Sequence, residues 1–264
     1  KRKGKTPKQN GSGGEVRWIP VGRTSTVMQV LLLLFLVISS FHHSASDSAN
    51  PNILLIVADD LGWMDLACQG NKLVETPHLD RLSEQGMRFT SAYAAAPVCS
   101  PTRCAVLTGQ APARIGLTTH LPGMFFPKDN RPQPAKLTGQ LDTEYVTIAE
   151  RLKEAGYVNA FLGKWHIAPS VARGGRVANE LSPTGQGFDV NIGGTSYGGP
   201  PSFFSPYRNA ELSDGHKGEY LPDRLVDETI KFVRAKKDQP WMTHLWFYTV
   251  HWPMQAPEAL LKKY

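Results

Sequence analysis

Three apolar runs punctuate the chain after residue 50, and each stops at ionisable residues. Asn52-Ile53-Leu54-Leu55-Ile56-Val57-Ala58 ends at Asp59-Asp60-Leu61-Gly62. Tyr157-Val158-Asn159-Ala160-Phe161-Leu162 ends at Gly163-Lys164-Trp165-His166, and the run from Trp241 to Tyr248 ends at Thr249-Val250-His251. All three predict strands, and the first, rich in β-branched residues, reads as buried on both faces, as in a parallel sheet. Helical patterns lie between them. One opens at Thr76-Pro77, carries Leu79 and Leu82, and stops at Gly86. A second spans Thr147 to Ala155 before Gly156. A third, Leu225 to Lys236, places Leu225, Val226, Thr229, Ile230 and Val233 on one side. Met87 to Tyr93 reads as a further strand. Residues 120–143 and 170–222 are rich in Pro and Gly with little periodicity, and predict irregular loops around a ligand site. Gly193 to Pro201 has no following Lys-Ser/Thr and is not a phosphate-cradling loop.

One stretch does not fit simple patterning: Pro97-Val98-Cys99-Ser100-Pro101-Thr102-Arg103-Cys104-Ala105-Val106-Leu107-Thr108-Gly109. Pro101 suits a first helical turn, Ser100 an N-cap and Gly109 a stop. Cys99 then falls at a helix N-terminus, where free N–H groups favour an anion. Arg103, about one turn on, can face the same point. Read alone, the cysteine fits better as a small buried hydrophobe ahead of an ordinary helix.

The strand ends carry the other candidate chemistry. Asp59 and Asp60 sit where α/β folds place ligands, and adjacent carboxylates need a cation or solvent to stay ionised together. Their plain alternative is a turn with Asp59 capping the next helix. Alternation sends Lys164 and His166 to one side, a fixed positive charge beside a proton-exchanging group, which suits an anionic ester. A solvated turn is the plain alternative there. His78 reads as a structural or surface residue, and His244 as packing.

Composition narrows this only a little. The net charge of the 264 residues is +6, but residues 1–50 hold seven of the 29 basic and two of the 23 acidic residues, leaving a body near +1. A nucleic-acid partner is therefore not indicated, since no basic patch belongs to the folded part. Val30 to Ile38 is a continuous apolar run with basic residues before it and Ser44, Ala45, Ser46, Ser48 and Ala49 after it. That is the layout of a signal peptide cleaved after Ser46 or Ala49, so residues 1–49 are expected to be a leader and the mature protein exported, to a secreted or periplasmic destination. The run is too short for a stable membrane span, which needs about 20 apolar residues, and an uncleaved anchor is the rival. Cys68, Cys99 and Cys104 do not make a disulfide framework.

Cys-x-Pro-x-Arg running into Cys-Ala-Val-Leu-Thr-Gly resembles the signature of the sulfatase family. Pro51 to Gly62, Gly-Lys-Trp-His at 163–166 and His251-x-Pro253-x-x-x-Pro257 are similar to further family positions in the same order. The resemblance implies an α/β, alkaline-phosphatase-like fold with a central mixed, mostly parallel sheet and helices on both faces. It implies that Cys99 is oxidised to formylglycine by a maturase and that the hydrated aldehyde attacks a sulfate ester. Asp59 and Asp60, with residue 99, would hold a divalent cation, Ca²⁺. Lys164 and His251 would bind the sulfate, Arg103 would join them and the cation in offsetting negative charge in the transition state, and His166 would be the base. Converting Cys99 would leave Cys68 and Cys104, whose pairing is open. The substrate would be an aryl or carbohydrate sulfate. The likeness spans about residues 51–257, so 50–264 is expected to be the N-terminal part of a catalytic domain, with an Asp-Asn pair and a second lysine lying beyond it. The alternatives are a phosphoester or phosphonate ester hydrolase of the same superfamily, an exported non-catalytic binder of sulfated glycans, and a Cys-His hydrolase, against which the Pro101–Arg103 context argues.

Overall fold

The structure is a computed structural model and describes residues 50–123 and 135–264. Residues 1–49, expected from sequence to be a leader, and residues 124–134 of the first long loop lie outside the described residues. The elements run β1 (Ile53–Val57), α1 (Pro77–Gln85), α2 (Cys99–Thr108), α3 (Pro112–Ile115), α4 (Ile148–Glu154), β2 (Val158–Gly163), β3 (Val190–Ile192), α5 (Leu221–Ala235), β4 (Trp241–Trp246) and α6 (Glu258–Lys263), with short 3-10 turns between some of them. The four strands form one sheet in the order β1-β4-β2-β3, and every described pairing is parallel. Crossovers return each strand in the same direction, through α-helices before β2 and β4 and through 3-10 turns alone before β3. The register aligns Val57 of β1 with Trp246 of β4, and Trp246 with Gly163 of β2. Three strands thus end level, and the three ionisable clusters predicted at strand ends arrive at one edge.

Side-chain alternation divides the core. Phe161, Met242 and Trp246 point to the layer holding Cys104 and Leu107 of α2 and Ala149 of α4. Ala160, Leu162, Trp241 and Leu245 point to the opposite layer, with Leu221, Leu225 and Phe232 of α5. Burying each of the larger α5 side chains contributes about 1.5–3 kcal/mol. β4 is buried along its whole length. β1 is not: Leu54 and Ile56 are 46% and 53% exposed, because α5 covers β2 and β4 and leaves one face of β1 open. The expectation of burial on both faces fails for that strand.

Several local expectations hold for the stated reasons. Thr147 caps α4 through a reciprocal capping box with Glu150. Gly109 closes α2 and Gly86 closes α1. Others change. Val98, not Ser100, is the N-cap of α2, and it offers no side-chain hydrogen bond. α5 starts at Leu221, with Pro222 in its first turn, and buries Leu221, Leu225, Thr229 and Phe232, while Val226 and Ile230 stay partly exposed. The stripe follows helical spacing from Leu221, one turn earlier than its apolar run suggests. Met87 to Tyr93 forms no strand, and Met87, Phe89 and Tyr93 are 79%, 71% and 90% exposed. β3 lies inside the segment read as irregular. His78 is exposed and His244 fully buried, as read. Cys68, Cys99 and Cys104 are free thiols. Among the described residues, no helix is long and apolar enough to cross a membrane.

Gly163 makes the join at the strand ends. Its φ is +104°, and a Cβ there would lie 1.9 Å from the Trp246 carbonyl oxygen. That oxygen accepts the Lys164 N–H at 2.8 Å. A residue with a Cβ would push β2 and β4 apart where Lys164 leaves the sheet.

Candidate active site

Asp59 follows β1 and is buried, its N–H donating to the Thr249 carbonyl at 2.8 Å. Two cations close on its carboxylate. Arg103 Nη2 donates to Oδ1 at 3.0 Å, and Lys164 Nζ donates to Oδ2. Arg103 is 3% exposed and Lys164 0%. Burial works to raise the Asp59 carboxyl, but the Arg103 and Lys164 charges and hydrogen bonds outweigh it and hold the group below the usual carboxylate range. Two buried cations against one buried anion leave a net positive centre, which attracts an anionic ligand.

Cys99 begins α2, and its Sγ accepts from Lys164 Nζ at 3.2 Å. Arg103, one turn along the same helix, also donates through Nη1 to the Lys164 carbonyl at 2.6 Å. Its guanidinium carbon lies 5.1 Å from the Trp246 ring centroid, a cation–π contact. Neither periodicity nor composition signals that contact, because it joins a helix to a strand end far along the chain.

His166 has φ +54° and a ring that is 4% exposed. Its Nε2 lies 2.8 Å from the Leu121 carbonyl, which only accepts, so Nε2 carries the proton. Nδ1 has no partner and keeps its lone pair. Burial, with the nearby Lys164 charge, drives the imidazole down to about 4, so it is neutral at pH 7. Ser100 holds this segment in place. Its Oγ donates to the His166 carbonyl at 2.8 Å and accepts from the Leu121 N–H at 3.0 Å. Those two partners occupy the hydroxyl that the sequence assigns to capping.

His251 follows β4. Its Nδ1 donates to the Trp252 carbonyl at 2.7 Å, and its Nε2 is 3.8 Å from Asp60 Oδ2. Asp60 is in the left-handed region at φ +58°, with a side chain 56% exposed. Asp59, Cys99 and His251 each offer one ligand atom, and all lie within 4.8 Å of one another. This is a candidate metal cluster among the described residues, and Asp60 adjoins it through His251. A cleft of about 810 Å³ opens above, bordered by Asp60, Cys99, His166 and His251. The fold therefore assembles all seven candidates, Asp59, Asp60, Cys99, Arg103, Lys164, His166 and His251, at one edge of the sheet.

Residues 51–264 match the family model for sulfatases. The chain belongs to the sulfatase family. N-acetylgalactosamine-6-sulfatase of Canis lupus familiaris is 38% identical over 180 residues, which cover 67% of this chain and 31% of the relative. Steryl-sulfatase of Rattus norvegicus is 40% identical over 164 residues, covering 62% and 27%. This sulfatase chain thus spans under a third of the length of those relatives. Among solved structures, Ps i-CgsB superposes with a TM-score of 0.63 at 27% identity, over 81% of this chain and 48% of that one. A phosphonate monoester hydrolase of Agrobacterium radiobacter shares the fold, with a TM-score of 0.53 at 20% identity over 79% and 43%. The architecture is alkaline-phosphatase-like, as the sequence resemblance implies.

Proposed function

We propose that the protein containing this chain hydrolyses sulfate esters, with residue 99 acting as a formylglycine made from Cys99. The observation that carries the reading is the buried Asp59, Arg103 and Lys164 set, with Lys164 Nζ 3.2 Å from Cys99 Sγ. Formylglycine supplies a hydrated aldehyde oxygen as nucleophile, and a divalent cation, Ca²⁺ in this reading, supplies positive charge beside it. The carboxylates of Asp59 and Asp60, together with residue 99, are the hard oxygen donors such an ion prefers. Lys164 and His251 bind the sulfate group and offset its charge as the ester bond breaks, and Arg103 fixes Asp59 and the start of α2. His166 is the base. With Nε2–H committed to the Leu121 carbonyl, its free Nδ1 is the site that takes a proton during release of sulfate. The same reading includes an exported protein, a formylglycine-generating maturase as partner in the cell, and a sulfated small molecule or glycan as substrate.

Mass spectrometry of the peptide holding residue 99, from the exported full-length protein, tests the proposal. The aldehyde is expected about 18 Da below the cysteine form, or close to it in mass once hydrated and unreactive to thiol alkylation. The same sample is expected to release 4-nitrophenol from its sulfate ester. A fully alkylatable Cys99 in a sample that turns over no sulfate ester would refute the proposal.

A further inference from the structure

We infer that the backbone strap Ser196–Gly199, which borders the cleft, sets the positions of both histidine rings of the site. Gly198 and Gly199 are its positioning residues, each a glycine because a side chain would stand where a ring stands. The roles of the two rings rest on the sulfatase reading above; the packing of the strap against them does not. A Cβ on Gly198 would lie 2.7 Å from His166 Cε1 and 2.8 Å from its Nε2. One on Gly199 would lie 3.1 Å from His251 Nδ1 and 2.8 Å from the Trp252 carbonyl oxygen, the two partners of the hydrogen bond that holds that ring. Neither glycine has a positive φ, so what each supplies is space rather than backbone freedom. A Gly-rich run with no phosphate-cradling pattern thus lays bare backbone against two rings that arrive from different strands.

The strap is itself held. The fully buried Thr195 accepts the His166 N–H on its carbonyl at 3.0 Å, and the Ser196 N–H donates to the Gly175 carbonyl at 2.9 Å. The Tyr197 ring lies against Gly175, where a Cβ would meet three ring carbons at 3.0–3.1 Å, and buried Pro200 restricts the chain as it leaves. The His166 ring is thereby confined. Its Nε2–H donates to the Leu121 carbonyl at 2.8 Å, and Gly198 closes over its Cε1–Nε2 edge. That carbonyl selects the tautomer in which Nδ1 is free. A methyl at position 198 displaces the ring from it, and misplacing a reacting group by about 1 Å costs about 100-fold in rate.

The test uses the full-length, matured protein, with rates taken per residue-99 aldehyde. In the reading above His166 acts as sulfate is released, after the alcohol has gone. Gly198→Ala is therefore expected to lower kcat for 4-nitrophenyl sulfate about 10- to 100-fold, to leave kcat/KM within about threefold, and to give a burst of about one 4-nitrophenol per site. Gly199→Ala, which disturbs the ring that binds the sulfate, is expected to lower kcat/KM about tenfold without a burst. Crystal structures of the same full-length proteins supply a readout independent of turnover. In Gly198→Ala the contact of Nε2 with the Leu121 carbonyl is expected to open beyond hydrogen-bonding reach. An unmoved ring, unchanged rates, or equal losses of kcat and kcat/KM in Gly198→Ala overturns the inference. So does a Gly198→Ala protein that fails to fold, because the obstacle at 198 is a side-chain ring and not backbone. A displaced His166 ring in a protein that hydrolyses no sulfate ester supports the role of the strap and overturns the proposed reaction.

Discussion

Asp59→Asn is expected to destabilise the folded protein by about 3–5 kcal/mol, because it leaves two buried cations without their anion. Arg103 and Lys164 are each within 3% of full burial and both donate to the Asp59 carboxylate. An amide of the same shape keeps one acceptor oxygen, but it offers no charge and turns an N–H₂ toward a donor. The penalty has a pH signature. The folded-state carboxyl of Asp59 sits below its ordinary range. Its stabilisation is therefore complete above the unfolded value near 3.9 and fades as pH falls through the lower folded value. Urea unfolding at pH 7 is expected to separate variant and wild type by that amount, with the gap closing in strong acid. A gap under about 1 kcal/mol at pH 7 would mean that the cations are hydrated and the centre is not a closed one.

The part of this centre that could be read from sequence is the part that local chemistry writes down. The strands are short apolar runs because helices cover most of a parallel sheet, one face of β1 excepted, and each run stops where charged residues begin, so Asp59, Lys164, His166 and His251 announce themselves. Gly109 and the Thr147–Glu150 box are equally local. What failed to show depends on distant neighbours. Ser100 has the composition of a cap, yet its hydroxyl is taken by His166 and Leu121. The alternation of β1 cannot reveal that α5 stops short of Leu54 and Ile56. Trp246 looks like any core aromatic, and only the meeting of β4 with α2 puts Arg103 over its ring. The sequence motif names the ion pairs' members, while tertiary contact supplies their orientation.

The aromatic layer under Arg103 contains a buried imidazole, His244, and His244→Phe is expected to remove about 3 kcal/mol of acid destabilisation between pH 6.5 and 4. His244 is fully buried, and neither ring nitrogen has a partner. It stacks on Trp246 at 5.1 Å between centroids, 21° from parallel, with Phe188 edge-on at 5.1 Å. Burial pushes its pKa down to about 4. In the unfolded chain the ring takes a proton near 6.5, and in the folded protein it refuses one until about 4. Over that interval the unfolded state binds more protons, so stability falls as pH falls, and below it both states are charged and the loss stops. His166 also lies at about 4 and titrates in the same window, so about half of the wild-type loss is expected to survive in the variant. At pH 7 the phenyl ring keeps the flat aromatic shape and removes a buried N–H without a partner, which offsets the strain of its larger size, so stability is expected to change by less than about 1 kcal/mol or to rise. Urea midpoints at pH 7 and pH 4 measure both quantities. An unchanged acid loss in the Phe variant would show that water or a polar group reaches the His244 ring. The geometry favours the opposite result: a protonated His244 would place a second cation against the same Trp246 ring that carries Arg103, so the neutral imidazole is the state in which the layer and the charged centre above it are compatible.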